Sequence, residues 1–359
     1  MTAEELSKLL AASFLKNGNY EALGSPLGDG TAYAQPAVVS ALEKQFESDS
    51  GFSGLAVHSV GYTPGAETEE VIIYVTRGAR KALRALPEEI EGVPVTAQVM
   101  GRIQASPMPA MAVRGGGHFF EYRGRIACGS SCAPSGENYA GTVGALAMDG
   151  GRLLALSNNH VFAACNHTPV GMPILAPATM DARPDRRAPT EIGRYERMVE
   201  LRSGDPRLVP LMTLDAAVAS IADENTVTSW QGDETEGYDT PSTVVGLRSG
   251  LRVKKTGRTS ALTVGVVEAF VPTPWILPYK STKFSAIVWF KDTWTVRSAD
   301  GDPFALPGDS GSLVVTEDGS EAVGLLFAAN SKGDYGIIVP IQDVLNTCGS
   351  LQLVSGHGI

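Results

Sequence analysis

The sequence predicts a mainly β protein in which a smaller α+β domain precedes a sandwich or a pair of barrels. The chain has 359 residues, which is too long for one small domain and suits two or three lobes. Its residues are 43% hydrophobic, and 40 Gly and 22 Pro supply many turns, a composition that favours short strands. From about residue 125, short apolar runs bounded by Gly, Asn, Asp or Pro recur, among them RLLALSNNHV, LTVGVVEAFV and YGIIVPI.

The first 115 residues have a different pattern. Three leucines among the first ten residues and Phe14 recur at helical spacing, and residues 37–47 show the same periodicity. The segments SGLAVHSVGY and EEVIIYV are typical of strands, RGARKALRALPEEI of a helix, and VPVTAQVMGRIQA of a further strand. This order predicts an α+β domain over residues 1–115, which we expect to regulate the protein or to bind a partner protein.

The segment PMPAMAVRGGGHFF indicates where the first domain ends. It holds two prolines and three successive glycines, which are typical of a connection between domains. We therefore predict a linker at 116–127, a second domain at 128–348 and a C-terminal tail at 349–359.

Charge and hydropathy exclude several classes of partner. The formal net charge of −10 argues against binding to phosphate backbones or anionic membranes. The N-terminus starts with acidic residues and lacks a basic start followed by an apolar run, so no signal peptide is predicted. No stretch approaches the roughly 18 apolar residues of a membrane span. The expectation is a cytoplasmic protein with no nucleic-acid partner and no membrane partner.

Four cysteines raise the question of disulfides or a metal. Without an export signal, Cys128, Cys132, Cys165 and Cys348 are expected to be free thiols. An alternative is a zinc site formed by the first three with His167, but the spacing is not a standard one. Small buried cysteines are the commoner explanation, so we expect no metal and no cofactor.

The segment PGDSGSLVV, residues 307–315, has the properties of a nucleophile turn. Gly308 and Gly311 permit a tight turn with positive φ that leaves Ser310 clear of its strand. The same turn can direct the backbone N–H groups of Gly308 and Ser310 at one point, as an oxyanion hole requires. Asp309 needs a partner if it is buried, and that pairing would fix the turn. The alternative is an ordinary Gly-Asp-Ser-Gly β-turn.

Two further residues have the chemistry to assist a serine. His160 follows the strand LLALS, and a strand terminus is a rigid place for a general base. Asp215 interrupts the apolar run LMTLDAAVASI, where a carboxylate needs a hydrogen-bond donor. An imidazole N–H would satisfy it and would fix the tautomer of the histidine. Taken singly, each has a structural alternative: a surface or core histidine, and an aspartate of a strand-end turn.

Together the three residues predict one site. Their order of His, Asp and Ser is one of the convergent orders of a catalytic triad. This order and the GDSG turn resemble those of chymotrypsin-like serine peptidases. The resemblance covers roughly residues 125–348. VKKTGRTSALTVGVVEA resembles the Gly-Arg-Thr-Thr strand pair of bacterial secreted members. LSNNHVFA, GRTSALTVGVV and PGDSGSLVV are most similar to a bacterial intracellular-type branch, which is also similar to the plant narrow-leaf proteins. We find no family resemblance for residues 1–115.

The resemblance implies a trypsin-like double six-stranded β-barrel behind the small α+β domain. It makes His160 the general base, Asp215 the residue that orients it, and Ser310 the nucleophile, with the N–H groups of Gly308 and Ser310 as oxyanion donors. The implied function is a serine endopeptidase that cleaves protein or peptide substrates through an acyl-enzyme, as a regulated protease with few targets. The alternative is a catalytically silent peptide- or protein-binding module on the same scaffold.

The resemblance also implies a specificity pocket beside the serine. Its lining would be Phe304, Phe327, Ala328, Ala329 and Gly336. No acid stands at the Phe304 position, so a preference for Lys or Arg is not implied, and we expect a small or apolar P1 side chain.

A last expectation concerns activation. Family zymogens are cut after a basic residue, and the new amine pairs with the acid beside the serine, here Asp309. The segment RGRIACG therefore suggests cleavage between Arg125 and Ile126. The alternative is a linker running into the first barrel strand, since bacterial members usually need no such cut.

Overall fold

A computed structural model describes residues 1–16, 56–77, 86–105, 117–182, 188–204, 209–280 and 285–359. The helices in these ranges are α1 (Ala3–Lys16), α2 (Asn159–Phe162) and α3 (Ile341–Thr347), with 3-10 turns at Thr179–Asp181 and Glu224–Thr226. The first strands are β1 (Ala56–Tyr62), β2 (Val71–Arg77), β3 (Glu89–Ile90), β4 (Val93–Val99), β5 (Ile103–Gln104), β6 (Glu121–Tyr122), β7 (Arg125–Cys128), β8 (Ser131–Pro134), β9 (Gly141–Thr142), β10 (Ala145–Asp149), β11 (Arg152–Ser157) and β12 (Pro173–Ala176). The others are β13 (Thr190–Met198), β14 (Ala217–Ile221), β15 (Val227–Gln231), β16 (Tyr238–Asp239), β17 (Arg252–Gly257), β18 (Ala261–Val271), β19 (Trp275–Lys280), β20 (Ser285–Phe290), β21 (Thr293–Ser298), β22 (Leu313–Thr316), β23 (Ala322–Asn330), β24 (Tyr335–Pro340) and β25 (Gln352–Leu353).

The C-terminal lobe is a closed six-stranded barrel. Its strands follow the order β17, β22, β23, β24, β21 and β18, and pairing between β17 and β18 closes the ring. Along β18, Val267, Ala269 and Val271 are buried and alternate with more exposed residues, because successive side chains of a strand point to opposite faces. The segment PGDSG, residues 307–311, lies between β21 and β22 in this lobe.

The other lobe, which precedes the closed barrel in the chain, is an open eight-stranded sheet. Its strands follow the order β25, β10, β11, β14, β13, β12, β8 and β9. The mainly β fold with two barrel lobes is confirmed, although this lobe is a half-barrel and not a closed six-stranded ring. Residues 349–359 are predicted as a tail. They supply β25, which pairs with β10, and Leu353 is buried.

The predicted linker at 116–127 overlaps two strands. Residues 121–122 and 125–128 form β6 and β7, and β7 pairs with β15 in a four-stranded sheet. The backbone N–H of Gly117 donates to Asp181 Oδ1 at 2.9 Å, and Phe120 is buried. Three glycines suggested a free connection, but the apolar residues that follow them bury against the lobes.

The N-terminal region, which is described at residues 1–16, 56–77 and 86–105, joins the C-terminal barrel through a common sheet. Helix α1 begins with a capping box, in which Thr2 Oγ1 accepts from Glu5 N at 3.1 Å and Glu5 Oε2 accepts from Thr2 N at 2.9 Å. Its apolar face packs on β1 and β2, as its periodicity predicts. Strand β1 pairs with β18 at Tyr62 and Phe270, and β5 pairs antiparallel with β23.

Other expectations for this region have mixed outcomes. The strands predicted around 53–62, 69–75 and 93–105 correspond to β1, β2 and the pair β4 and β5. The predicted helix at 37–47 lies outside the described residues, as does most of the one in RGARKALRALPEEI, whose last residues form β3. No helix in the described ranges is long and apolar enough to cross a membrane.

The hairpin of β19 and β20 packs against both the N-terminal region and the two lobes. Its side chains alternate between two faces. One face carries Tyr279 into a core cluster shared by both lobes, whereas Ile276 and Trp289 lie in the cluster of helix α1. Met212 N donates to Trp289 O at 2.7 Å, which ties the hairpin to the segment before β14.

Candidate active site

Two neighbouring strands of the half-barrel place His160 beside Asp215. Strands β11 and β14 pair antiparallel, with Ser157 opposite Ala217. The end of one strand therefore lies next to the start of the other. Helix α2 begins just after β11 and carries His160, while Asp215 lies two residues before β14. His160 Nδ1 and Asp215 Oδ2 are 2.5 Å apart, and His160 N donates to Asp215 Oδ1 at 3.3 Å.

A third donor to this carboxylate comes from the hairpin. The hydroxyl of Tyr279 donates to Asp215 Oδ2 at 2.8 Å. Asp215, His160 and Tyr279 are each at most 1% exposed, so the carboxylate is satisfied in a water-poor environment. Tyr279 is not among the residues predicted from the sequence. The available signal was a phenol at the end of the apolar strand WILPY, because a buried hydroxyl in such a run needs a partner.

The turn that carries Ser310 depends on its two glycines. Gly308 has φ +105° and Gly311 has φ +97°, in the region that favours glycine. A Cβ at Gly311 would overlap Ser157 Oγ and lie 2.5 Å from the carbonyl oxygen of Thr142. A Cβ at Gly308 would meet the side chains of Arg258 and Thr259. The turn can pack this close to both lobes only without side chains at these positions.

Asp309 fixes the turn from inside the C-terminal barrel, as a buried acid there would be expected to do. Its carboxylate accepts from Ser260 Oγ at 2.6 Å, Thr259 N at 2.7 Å and Leu306 N at 2.8 Å. Lys255 Nζ lies 3.2 Å from Asp309 Oδ2, and both side chains are fully buried. Burial would raise the pKa of Asp309, but the charge of Lys255 and these donors hold it below its usual value.

The turn contacts the opposite lobe through Thr142. Thr142 N donates to the carbonyl of Ser310, and Thr142 Oγ1 donates to that of Gly308, both at 2.9 Å. Ser310 Oγ itself donates to the carbonyl of Phe327 at 3.4 Å. Among the described residues, no hydrogen-bond partner reaches His160 Nε2, which is buried. The structure thus joins His160 to Asp215 and directs the hydroxyl of Ser310 to β23.

The residues expected to line a specificity pocket lie around β23, largely in packed positions. Ala329 pairs with Gly336 across β23 and β24, and a Cβ at Gly336 would lie 2.9 Å from the ring of Phe304. Phe304 is fully buried in the barrel interior, and Phe327 is fully buried in the cluster shared by the lobes, with Ala328 also buried. Their role in substrate selection stays a prediction.

The edge of β23 beside these residues carries β5. Gln104 is opposite Ala329 and Ile103 is opposite Asn330. Ser331 N donates to the carbonyl of Arg102 at 2.7 Å, and Asn330 Nδ2 donates to that of Met100 at 2.6 Å. The N-terminal region therefore covers the strand whose Phe327 carbonyl accepts from Ser310.

The residues of the activation hypothesis lie in strand β7. Arg125 pairs with Tyr122, and Ile126 is 2% exposed and pairs with Val227. The acid to which a new amine would bind, Asp309, already has Lys255 as its cationic partner. Cleavage at this bond stays a prediction, and the turn does not need it for charge pairing.

The four cysteines are free and buried. Burial raises the pKa of the Cys128 thiol to about 12 and that of the Cys348 thiol to about 11. Within the described part of the chain, no group of three His, Cys, Asp or Glu residues is arranged to hold a metal ion.

No family model and no curated protein matched this chain. Solved structures do resemble it. Thermobifida fusca protease A is 16% identical, and the match covers 64% of this chain and 100% of that one, with a TM-score of 0.43. Nocardiopsis protease is 18% identical, and the match covers 63% of this chain and 97% of that one, with a TM-score of 0.43. Cellulomonas bogoriensis chymotrypsin is 14% identical, and the match covers 64% of this chain and 98% of that one, with a TM-score of 0.42. The closed barrel beside a half-barrel agrees with the predicted pair of barrels through its own strand order. Such low identities say nothing about activity.

Proposed function

We propose that this protein is a serine endopeptidase with His160, Asp215 and Ser310 as its triad. The observation that carries the proposal is the buried contact between His160 Nδ1 and Asp215 Oδ2 at 2.5 Å, at the junction where the other lobe presents a glycine-dependent serine turn. A carboxylate bound to one ring nitrogen leaves the other nitrogen free to take a proton. His160 Nε2 is that nitrogen.

The proposed reaction begins when Ser310 Oγ attacks the carbonyl carbon of a peptide bond and gives its proton to His160 Nε2. The N–H groups of Gly308 and Ser310 stabilise the oxyanion of the tetrahedral intermediate. The C–N bond then breaks as His160 protonates the leaving amine, which leaves an acyl-enzyme. Water, deprotonated by His160, releases the acid and restores Ser310. In this proposal Asp215 orients the imidazole and stabilises its cation, and the Ser310 hydroxyl must first turn from Phe327 to His160.

A second candidate is a catalytically silent peptide- or protein-binding module. One observation favours it: the hydroxyl of Ser310 donates to a backbone carbonyl, and His160 Nε2 has no partner among the described residues. Such an arrangement would persist in a protein that binds chains along a strand edge without cutting them.

A fluorophosphonate probe separates the two candidates. The wild-type chain should form a covalent adduct at Ser310, and Ser310→Ala and His160→Ala should not. The Ala variant of His160 is the sharper control, since it keeps the serine but removes the base. A folded wild-type protein that stays unlabelled while a known serine peptidase reacts under the same conditions would establish the silent module instead.

We further propose that the N-terminal region restrains the peptidase and that protein or peptide substrates add to β23. This is supported by the pairing of β5 with Ala329 and Asn330, because an extended chain recognised by a sheet edge needs those backbone groups unpaired. A partner protein that draws β5 away would then release the activity. A cytoplasmic location and a small or apolar P1 residue belong to the same proposal.

The restraint can be tested by Ile103→Pro. Proline removes a backbone N–H and fixes φ, which disfavours the short β5 pairing. We expect kcat/KM for a peptide substrate to rise about tenfold, mainly through a lower KM. Arg102→Ala is the matched control, since it changes a neighbouring exposed side chain and keeps the carbonyl that binds Ser331. An unchanged KM in a variant of normal thermal stability would contradict the restraint.

A further inference from the structure

The carboxylate of Asp215 has a donor that comes from neither barrel. Among the described residues, its donors are His160 N, His160 Nδ1 and the hydroxyl of Tyr279. Two of them share Oδ2, which a carboxylate oxygen permits because it offers two lone pairs. The side-chain amide of Asn158 donates to the backbone carbonyl of Asp215 at 2.6 Å and leaves the carboxylate itself to the other two residues.

The ring of Tyr279 is fixed on several sides. It meets the ring of His160 edge-on, with centroids 5.7 Å apart and an interplanar angle of 78°. It stacks on the ring of Phe290, with centroids 5.9 Å apart, and the centroids of Phe290 and Phe327 are 4.8 Å apart. Since the carbonyl of Phe327 accepts from Ser310 Oγ, this aromatic row runs from the acid of the site to the serine.

The hairpin that carries Tyr279 is supported from its other face by the N-terminal region. Ile276 and Trp289 lie in the same buried cluster as Leu6 and Leu10 of α1. Thr273, just before β19, accepts from Val60 N through Oγ1 at 3.1 Å. The position of the Tyr279 hydroxyl is therefore set by packing that includes the N-terminal region.

We propose that Tyr279 is a positioning residue of the site, holding the Asp215 carboxylate so that Oδ2 faces His160 Nδ1. The inference rests on the proposed peptidase function and adds to it a residue that ties the triad to the hairpin. Without the hydroxyl, the carboxylate loses one of two donors at Oδ2 and can rotate away from the imidazole. Tyr279 does not touch the substrate or move a proton.

The ionisation of Tyr279 is consistent with a permanent donor. Burial raises the pKa of its phenol well above the usual value, and the neighbouring Asp215 raises it further. The other titratable groups that face it are His160 and the buried thiol of Cys165. The phenol therefore stays protonated over the range in which a peptidase is assayed.

The test compares Tyr279→Phe with Tyr74→Phe in the full-length protein. Phe keeps the ring and its stacking and removes only the hydroxyl. Tyr74 is a matched control, because its buried hydroxyl also donates to a carboxylate, Glu268 Oε2 at 2.9 Å, outside the proposed triad. The readouts are fluorophosphonate labelling, kcat and KM on a peptide, the pH profile of kcat/KM, and the downfield proton resonance of His160 Nδ1.

We expect Tyr279→Phe to lower kcat and the labelling rate about ten- to hundredfold, as for other residues that orient a catalytic group through a hydrogen bond, with KM nearly unchanged. The pH profile of kcat/KM should also change, because the contact between the carboxylate and the imidazole is altered. The His160 resonance should shift. Tyr74→Phe should change neither kcat nor the resonance.

Three results would overturn the inference, and they are distinguishable. If the wild type is labelled and Tyr279→Phe has the same labelling rate and kcat, only the positioning role of Tyr279 is overturned. An equal loss in Tyr74→Phe would mean that Tyr279 acts through general stability. An unlabelled wild type removes the peptidase function, and the positioning role with it.

Discussion

Glu268 connects the N-terminal region to the C-terminal barrel through its carboxylate. Tyr74 of β2 donates to it at 2.9 Å, Tyr335 of β24 at 3.4 Å, and Arg297 lies 3.3 Å away. Burial raises the pKa of Glu268 above its usual 4.5, although these three neighbours oppose that shift. Ionisation of this group therefore works against the folded state.

This shift predicts a pH-dependent effect of Glu268→Gln. Below about pH 4.5 the group is neutral in both states, so its stabilising contribution is fully present. As the pH rises through the raised pKa of Glu268 in the folded protein, that contribution is lost, since the carboxyl ionises more readily in the unfolded chain. Glutamine stays neutral and still accepts from Tyr74. The melting temperature of the variant relative to wild type should therefore rise between pH 5 and pH 8, by on the order of 2 °C.

The control for this prediction is Glu317→Gln. Glu317 is an exposed acid whose pKa is lowered from 4.5 by its hydrogen bond from Arg252. Its contribution is complete above that pH and is lost only on acidification, so the melting-temperature difference for Glu317→Gln should stay level between pH 5 and pH 8. A melting-temperature difference for Glu268→Gln that falls as the pH rises would contradict the assignment.

Much of the candidate site could be predicted residue by residue. His160, Asp215 and Ser310 have side chains suited to the chemistry, and local rules describe their surroundings: a strand end, an apolar run and a glycine turn. Tyr279 could not be placed in this way. Its contact with Asp215 depends on a hairpin that packs across both lobes, and no local pattern indicates which buried phenol meets which carboxylate.

Helix α1 is the element that fixes the outer face of the hairpin. Leu6, Leu10 and Phe14 lie on one buried face, as their spacing predicts. Because Ile276 and Trp289 share that cluster, the helix stabilises the hairpin through packing.

Leu10→Ala should destabilise the folded protein by about 2–5 kcal/mol, which is the usual cost of a cavity at a buried leucine. Amide hydrogen exchange in β19 and β20 should accelerate more than exchange in the half-barrel strand β11. Lys8→Ala, on the exposed face of the same helix, should change stability by about 0.5 kcal/mol or less. Equal acceleration in the hairpin and in β11 would show that the helix does not support the hairpin specifically.

The strands of the barrels were easier to predict than the boundaries between regions. Short apolar runs bounded by turn residues identified β11, β18 and β24, because both signals are local. Segment ends at 116–127 and 349–359 were assigned from glycines, prolines and chain position. These signals do not reveal that β7 and β25 find partners in β15 and β10, which lie far away in sequence.

At the scale of the whole molecule, the largest difference from the sequence prediction is the continuity of one sheet. Strands β1 to β4 extend the C-terminal barrel from β18, and β5 adds to β23. The sequence predicts an α+β domain over 1–115, and a change in composition does not reveal whether two sheets share hydrogen bonds. The N-terminal region is attached to the barrel at two places.

This double attachment makes the covalent connection between the regions dispensable. If a recognition sequence for a specific protease is inserted between Ala105 and Gly117 and then cut, the two fragments should elute together at the mass of the intact chain. Each attachment holds the other in place, so that the second contact forms at a high effective concentration. Denaturant should be needed to part the fragments, and their separate elution in plain buffer would contradict this. The protein would then behave as a heterodimer that is synthesised as one polypeptide.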